Sequence, residues 1–201
     1  MEARFRDIGG IWCMCAVNED SDLACGTMSG LYFIQIQDNR MLRTDELYLK
    51  DLNVWCVKEI APNIVIATCW LNANTYLINR SEVLPKKKPL VLEESTSKNN
   101  HATDLILIPG YDFNRCPYVL KRAKKSVSLI DIRQLKQYTL YTDLNAEFGY
   151  SKMATRDLGS DAFEILYVAS EGKNKTVVKR FQFPSYYKQG LRKISNLKHR
   201  V

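Results

Sequence analysis

The sequence predicts an all-β protein built from repeated four-stranded antiparallel units, and two observations support this prediction. First, glycine (9) and proline (6) are sparse among the 201 residues, while valine, isoleucine, tyrosine and threonine recur in short runs. Such runs are typical of strands rather than helices. Second, the stretch IWCMCAV at Ile11 returns as VWCVKEI at Val54. A stretch that returns at a fixed spacing indicates a structural repeat.

The first unit contains four predicted strands separated by short polar turns. They are Ile11 to Val17, Asp22 to Thr27, Leu31 to Gln37 and Leu42 to Leu49, with NEDS and MSG as the first two turns. The second unit repeats them as Val54 to Ile60, Ile64 to Trp70, Thr75 to Asn79 and Leu90 to Leu92. Laying Trp12 on Trp55 aligns the units, and it also places Cys13 on Cys56, Leu23 on Ile66 and Ala24 on Ala67.

Two further units follow with longer turns. The third reads TDLILIPG, CPYVLKR, SVSLIDI and QYTLYTD, and the fourth reads FGYSKMA, FEILYVAS and TVVKRFQF. A repeat of about 40 to 45 residues with four strands is the signature of a β-propeller blade. Because one blade cannot bury both of its faces, neighbouring blades must stack. The predicted fold class is therefore a β-propeller of four-stranded antiparallel blades.

Two stretches carry a resemblance to a known family. SDLACGTMSGLYFIQIQD resembles the second and third strands of a WD40 blade, and VWCVKEIAPNIVIATCWLNANTYLIN is similar to the run from the first to the third strand. The chain departs from the family because no Gly-His pair opens a unit and no Trp-Asp pair closes one. Asp38 and Asp131 are the nearest matches to the aspartate of the Trp-Asp pair, and His101 precedes a predicted first strand as the family's histidine does. We therefore expect divergent WD40-like repeats, or another propeller family such as the citron-homology type.

The number of units leaves two alternatives for the ring. WD40 propellers close with about seven blades, and this chain supplies about four. Either the four blades close compactly, or the chain is an incomplete propeller completed by further chain, and we favour the second. The expected blades are approximately 10–50, 51–94, 95–143 and 144–184 within a propeller region 1–184, followed by a basic C-terminal extension at 185–201.

The sequence gives no sign of catalysis. It has two histidines and no dinucleotide-binding, phosphate-binding, serine-hydrolase or zinc-protease motif. Six cysteines lie mainly in apolar runs without a C-x-x-C pair, which favours buried structural thiols over metal or redox roles. We expect no enzyme activity and no catalytic, cofactor-binding or metal-binding residues. Trp12 and Trp55 occupy matching positions, so we expect them to pack between blades.

The net charge of +7 is concentrated in PKKKP, in LKRAKKS and near the C-terminus. The lysine runs are expected in exposed loops between strands, while Trp70 follows its strand beside a turn. These features give the candidate partner-binding residues, which are Trp70, Lys86, Lys87, Lys88, Arg122, Lys124 and Lys125.

We expect a cytoplasmic protein, because the first residues lack the apolar core of a signal peptide and no apolar run reaches the roughly 20 residues of a membrane span. The first functional hypothesis is a non-catalytic scaffold that presents propeller loops to partner proteins as a subunit of a larger complex. The alternative is a module that binds nucleic acid or anionic membranes through its lysine-rich loops. The two differ in how strongly salt weakens binding.

Overall fold

The computed structural model describes residues 9–19, 21–37, 40–71, 74–81, 90–93, 101–124, 126–142, 152–159, 162–171 and 175–183. Within these ranges the regular secondary structure consists of strands, arranged in four separate antiparallel sheets. Each sheet is a meander in which strands adjacent in sequence pair with each other. The predicted extension at 185–201 lies outside the described residues.

The first two sheets correspond to the first two predicted units. The first contains β1 (Ile11–Val17), β2 (Asp22–Thr27), β3 (Leu31–Gln37) and β4 (Arg40–Tyr48). The second contains β5 (Val54–Ala61), β6 (Ile64–Cys69), β7 (Thr75–Asn79) and β8 (Leu90–Glu93). Sequence patterning therefore locates all eight strands, including their order.

Among the described residues, the third sheet also has four strands, whereas the fourth has three. The third contains β9 (Ala102–Leu107), β10 (Tyr118–Ala123), β11 (Ser126–Asp131) and β12 (Lys136–Thr142). The fourth contains β13 (Met153–Gly159), β14 (Ala162–Glu171) and β15 (Lys175–Phe183). Most of the first strand that we predicted for this last unit, FGYSKMA, lies outside the described residues, and its last two residues, Met153 and Ala154, belong to β13.

The four sheets stack in chain order through their first strands. β1 contacts β5, β5 contacts β9, and β9 contacts β13. This is the arrangement of propeller blades around an axis, with the first strand of each blade innermost. Within the described residues, the fourth sheet does not pack against the first as successive sheets do. The chain thus forms an incomplete propeller.

An apolar core lies between each pair of successive sheets. The core between the first and second sheets includes Val17, Ala24, Leu31, Phe33, Val57, Val65, Ala67 and Ile78. The next contains Cys56, Ile60, Ile66, Leu105, Val119 and Ile130, and the last contains Leu120, Leu129, Phe163, Ile165 and Tyr167. Full burial of one large apolar side chain is worth about 1.5–3 kcal/mol. Each blade therefore depends on its neighbours for most of its stability.

The structure corrects the sequence alignment of the first two units by one residue in their second strands. Ala24 pairs with Cys15, and its counterpart in the second sheet is Ile66, which pairs with Lys58. Ala67 pairs with Val57 instead. It therefore lies on the face of the second sheet that meets the first sheet, whereas Ala24 lies on the face of the first sheet that meets the second. The reason is that Cys15 and its partner Ala24 are nine positions apart, whereas Lys58 and its partner Ile66 are eight apart, so the spacing that matches the two tryptophans no longer applies in the second strands.

Polar side chains join the first two sheets at the end where their first strands finish. Asn18 N donates to Glu59 Oε1 (2.9 Å), and Asn63 N donates to Asn18 Oδ1 (3.1 Å). Nearby, Arg80 Nη1 donates to Asp22 Oδ2 (2.8 Å), and both side chains are 8% exposed. We call these five residues the polar clasp. The hydrogen bonds and the ion pair of the clasp give partners to buried charges and backbone groups. Without partners, the burial of these groups would cost free energy.

Gly26 marks the closest approach between the first two sheets. A Cβ at this position would lie 2.6 Å from Cys13 Sγ and 2.8 Å from the carbonyl oxygen of Val54. Both distances are too short for non-bonded atoms, so only glycine allows β2 to pack this closely beside β5.

We predict that Gly26→Ala destabilises the folded chain by about 1–3 kcal/mol, because an added methyl group forces a tightly packed core apart. Equilibrium unfolding in urea measures the change. Gly10→Ala is the matched control, because a Cβ there meets nothing within 4 Å. Equal effects of the two substitutions would contradict this account of the packing.

Candidate functional site

One end of the propeller gathers aromatic and exposed apolar side chains. We call it the loop end: it is where the first strands begin and where the turns between second and third strands lie. The pairing of Ile11 with Thr27, and of Val54 with Cys69, places the start of each first strand beside the end of the second. The polar clasp lies at the opposite end.

Four rings at the loop end lie in a row, each in contact with the next, and we call this row the aromatic column. The ring centroids of Trp12 and Trp55 are 4.9 Å apart, and those of Trp55 and Trp70 are 4.6 Å apart. The Trp70 and His101 rings are nearly parallel, at 4.7 Å and 6°. These separations are typical of aromatic pairs, which contribute about 0.5–1.5 kcal/mol beyond the area they bury. The column spans the first three sheets.

Local backbone geometry explains how these rings meet. Trp12 and Trp55 sit where the pairing of their strands shifts register, and such bulges re-aim side chains. The backbone N–H of Trp70 donates to the carbonyl oxygen of Asn53 (2.8 Å), which fixes Trp70 next to the start of β5. His101 Nδ1 lies 3.0 Å from the Trp70 carbonyl oxygen. The rings of Trp12 and Trp55 meet between the first two blades as predicted, but Trp12 is covered there on only part of its surface.

The column continues into an exposed apolar surface. Trp12 is 46% exposed and Ile11 is 44% exposed, while the turns after β2 and β6 present Met28 (58%) and Leu71 (65%). We call Ile11, Trp12, Met28 and Leu71 the loop-end patch. Large apolar groups held this far out of a core are the kind that partner proteins cover.

A polar cluster lies beside the inner strands at the same end. Asp104, at the start of β9, accepts hydrogen bonds from Met153 N (2.7 Å to Oδ2) and from Lys152 Nζ (3.3 Å to Oδ1). Lys152 Nζ also lies 3.9 Å from Cys56 Sγ. Asp104 is 6% exposed, so these hydrogen bonds satisfy a buried carboxylate. Their main effect is to attach the fourth sheet to the third.

The thiols near this cluster are protonated at neutral pH. Burial raises the pKa of Cys13 to about 12, with a smaller contribution from the neighbouring Cys56 thiol. Burial also raises the pKa of Cys56 to about 11, partly offset by Lys152. Because the thiolate is the nucleophilic form, neither position is activated. Among the residues that the structure describes, no three His, Cys, Asp or Glu side chains converge as a metal site.

The structure places only some of the predicted partner-binding residues at the loop end. Trp70 is part of the aromatic column, and Lys124 lies in the turn after β10, where its N–H donates to the carbonyl oxygen of His101 (2.8 Å). Lys86, Lys87, Lys88 and Lys125 lie outside the described residues. The described part of the chain therefore does not assemble a lysine surface.

Arg122 requires a correction. We expected it in an exposed turn, but it lies within β10, is 1% exposed, and places its guanidinium 4.6 Å from the centre of the Tyr167 ring. The reason is register: Arg122 points to the same side as Leu120, into the core shared with the fourth sheet. Its charge interacts with an aromatic face inside this chain.

Sequence reasoning missed His101 as a partner of Trp70, and it missed the loop-end patch. His101 and Trp70 are distant in sequence and meet only because β9 packs against β6. A signal for Met28 and Leu71 was present, since an apolar residue in a short polar turn is unusual.

Comparison with known proteins identifies the fold. No protein-family model and no curated protein matches the sequence. Among solved structures, the chain is similar to the Cps50 (Swd1) β-propeller domain of Myceliophteria thermophila, with 13% identity and a TM-score of 0.48. It also resembles a chain in the structure of S. cerevisiae Dbp5 bound to Nup159, Gle1, IP6 and ADP (11% identity, TM-score 0.50), and an ancestral GH74 enzyme (10%, 0.53).

The extent of these matches is uneven. They cover 86%, 92% and 86% of this chain, but only 58%, 47% and 24% of the matched chains. At such low identity they show the fold alone. Taken with the stacked meander sheets, the two matches with TM-scores of 0.50 and 0.53 define the fold class: the chain is an incomplete β-propeller of divergent blades. One of the matched chains is an enzyme, and likeness of fold at this identity does not decide between catalysis and binding.

The described residues contain no helix long and apolar enough to cross a membrane. The cytoplasmic location stays a prediction.

We predict that Cys13 and Cys56 of the folded chain react very slowly with iodoacetamide near about pH 8 and faster as the pH rises towards their raised pKa values, because only the thiolate reacts. Site-resolved mass spectrometry measures the labelling. The same chain unfolded in urea is the control, where both thiols react readily. Labelling of folded Cys56 as fast as in urea would contradict the prediction.

Proposed function

We propose that this chain is a non-catalytic interaction module that holds partner proteins at its loop end, as one subunit of a larger complex. The observation that carries the proposal is the loop-end patch, in which four exposed apolar side chains adjoin a stacked aromatic column. Binding energy at protein interfaces concentrates in a few such residues, tryptophan above all.

The side chains of the loop-end patch are held in fixed positions, which favours binding. Trp12 stacks on Trp55, which is itself held by Trp70, so the exposed ring has few alternative positions. A side chain that is already ordered loses little entropy when a partner covers it. Met28 and Leu71 lie in short turns anchored by backbone hydrogen bonds, from Thr27 N to Gly30 O (2.9 Å) and from Cys69 N to Asn74 O (3.1 Å).

The thiols support a binding role over a catalytic one. Cys13 and Cys56, which lie in the inner strands β1 and β5, have raised pKa values, whereas nucleophilic cysteines have lowered pKa values. Lys152 and Asp104 form an ion pair that joins two sheets. Both observations fit a structural use of these polar groups.

We predict that Leu71→Asp weakens partner binding by about thirtyfold or more, because a carboxylate in an apolar contact must be desolvated. Leu135→Asp is the matched control: Leu135 is also exposed (39%) but lies in the turn after β11, at the opposite end. The partner is first identified by a photo-crosslinker placed at Leu71, then purified, and its affinity for both variants is measured by calorimetry.

Trp12→Ala should weaken the same complex, and unfolding in urea must show that the variant stays folded. Equal binding by the Leu71 and Leu135 variants would overturn the proposal. So would binding that depends steeply on salt and is competed by RNA or anionic vesicles, since that behaviour belongs to contacts with phosphates.

A further inference from the structure

The fourth blade differs from the other three in its outer edge. In the first three sheets the third strand, β3, β7 or β11, pairs with a fourth strand on its outer side. β15 is the third strand of the last sheet; it pairs with β14 over its whole length, from Lys175 opposite Glu171 to Phe183 opposite Phe163. No strand in the described part of the chain lies on its other edge. An unpaired edge of this length is a template for a further strand.

The two faces of β15 have different surroundings. Val177 turns towards the third sheet, where it packs against the core that contains Phe163 and Tyr167. Val178 turns the other way and is 69% exposed. A strand added beside β15 would therefore place one set of side chains next to an existing core and the alternate set on an open surface.

The open surface is basic. The buried carboxylate of Glu164 (1% exposed) is contacted by two guanidiniums, Arg156 Nη2 at 2.9 Å from Oε2 and Arg180 Nε at 2.9 Å from Oε1. The two arginine side chains are 61% and 62% exposed. One carboxylate cannot neutralise two guanidiniums, so a net positive charge stays at the surface. The sequence of the strand, KTVVKRFQF, contains no acidic residue.

Basic residues on an edge strand also have a protective role, because they repel other basic edges and so discourage unspecific pairing. The same charges favour an acidic strand over a neutral or basic one, since opposite charges on adjacent strands attract. Protection and selection are thus two results of one charge pattern. The two roles can be told apart by experiment. An edge that is only protective binds no added strand, whereas a selective edge binds an acidic strand.

We propose that β15 is the acceptor edge for an acidic β-strand supplied by another polypeptide, which completes the fourth blade. In that strand, residues facing the third sheet are apolar and extend the core beside Val177, and the alternate residues are Asp or Glu near Arg180. Backbone hydrogen bonds to β15 provide most of the affinity, and the alternating side chains provide the specificity. This surface is separate from the loop end and does not rest on the function proposed for it.

The test uses the full chain and three blocked nine-residue peptides. The first alternates Val and Glu, the second alternates Val and Lys, and the third is the Val/Glu peptide N-methylated at alternate residues so that it cannot donate hydrogen bonds along the edge that meets β15. Each is added below the concentration at which it self-associates. Hydrogen–deuterium exchange, resolved by residue, reports the protection of backbone amides in β15 and elsewhere.

We expect the Val/Glu peptide to protect amides of β15 and no others, and the N-methylated peptide to bind at least about tenfold more weakly, because several backbone hydrogen bonds are lost. The Val/Lys peptide should give no protection. In the variant Val178→Glu, which places a carboxylate on the same exposed face of β15 as Arg180, the preference should shift towards the Val/Lys peptide.

Three results would overturn the proposal: no protection of β15 by any peptide at millimolar concentration, equal protection by the N-methylated peptide, or protection confined to the loop end. None of these depends on the loop-end variants, so the two proposals can fail separately.

Discussion

Packing of each sheet against the next is the interaction on which the rest of the structure depends. A four-stranded meander has two faces, and in this chain the faces acquire cores only where β1, β5, β9 and β13 bring successive sheets together. The positions of the aromatic column, the Asp104 hydrogen bonds and the buried Arg122 all follow from this stacking. None of them would be complete in an isolated blade, because each includes contacts between residues of different sheets.

Sequence patterning predicts the strands of this fold well because a strand leaves a local signal. Runs such as LYFIQIQ are apolar and β-branched, and the turns that bound them are polar, so β1, β2 and β3 begin and end where the sequence predicts. Alignment of one repeat with another is less accurate than the prediction of single strands. The first hairpin has one residue more than the second between its paired positions, so Ala24 and Ala67 lie on opposite faces of their own sheets.

The candidate site is harder to predict because its contacts join residues far apart in the chain. Trp70 was identified from its place beside a turn, but its stacking on His101 depends on how the second and third sheets pack. Arg122 shows the same difficulty in reverse. In a basic run at a strand end, composition does not reveal which residue is the last in the strand, and a shift of one position decides between a solvated charge and a buried one.

The first two blades contact each other through polar groups at one end and through aromatic rings at the other. The two sets of contacts should therefore differ in how salt and urea change their strength. The polar clasp uses an ion pair and hydrogen bonds, including Arg80 with Asp22 at 2.8 Å, and salt screens the part of such interactions that solvent reaches. The aromatic column relies on apolar burial, which kosmotropic salts strengthen and urea weakens. A kosmotropic salt thus strengthens the aromatic end of the interface and, because both side chains of the Arg80–Asp22 pair are 8% exposed, changes the strength of that ion pair little.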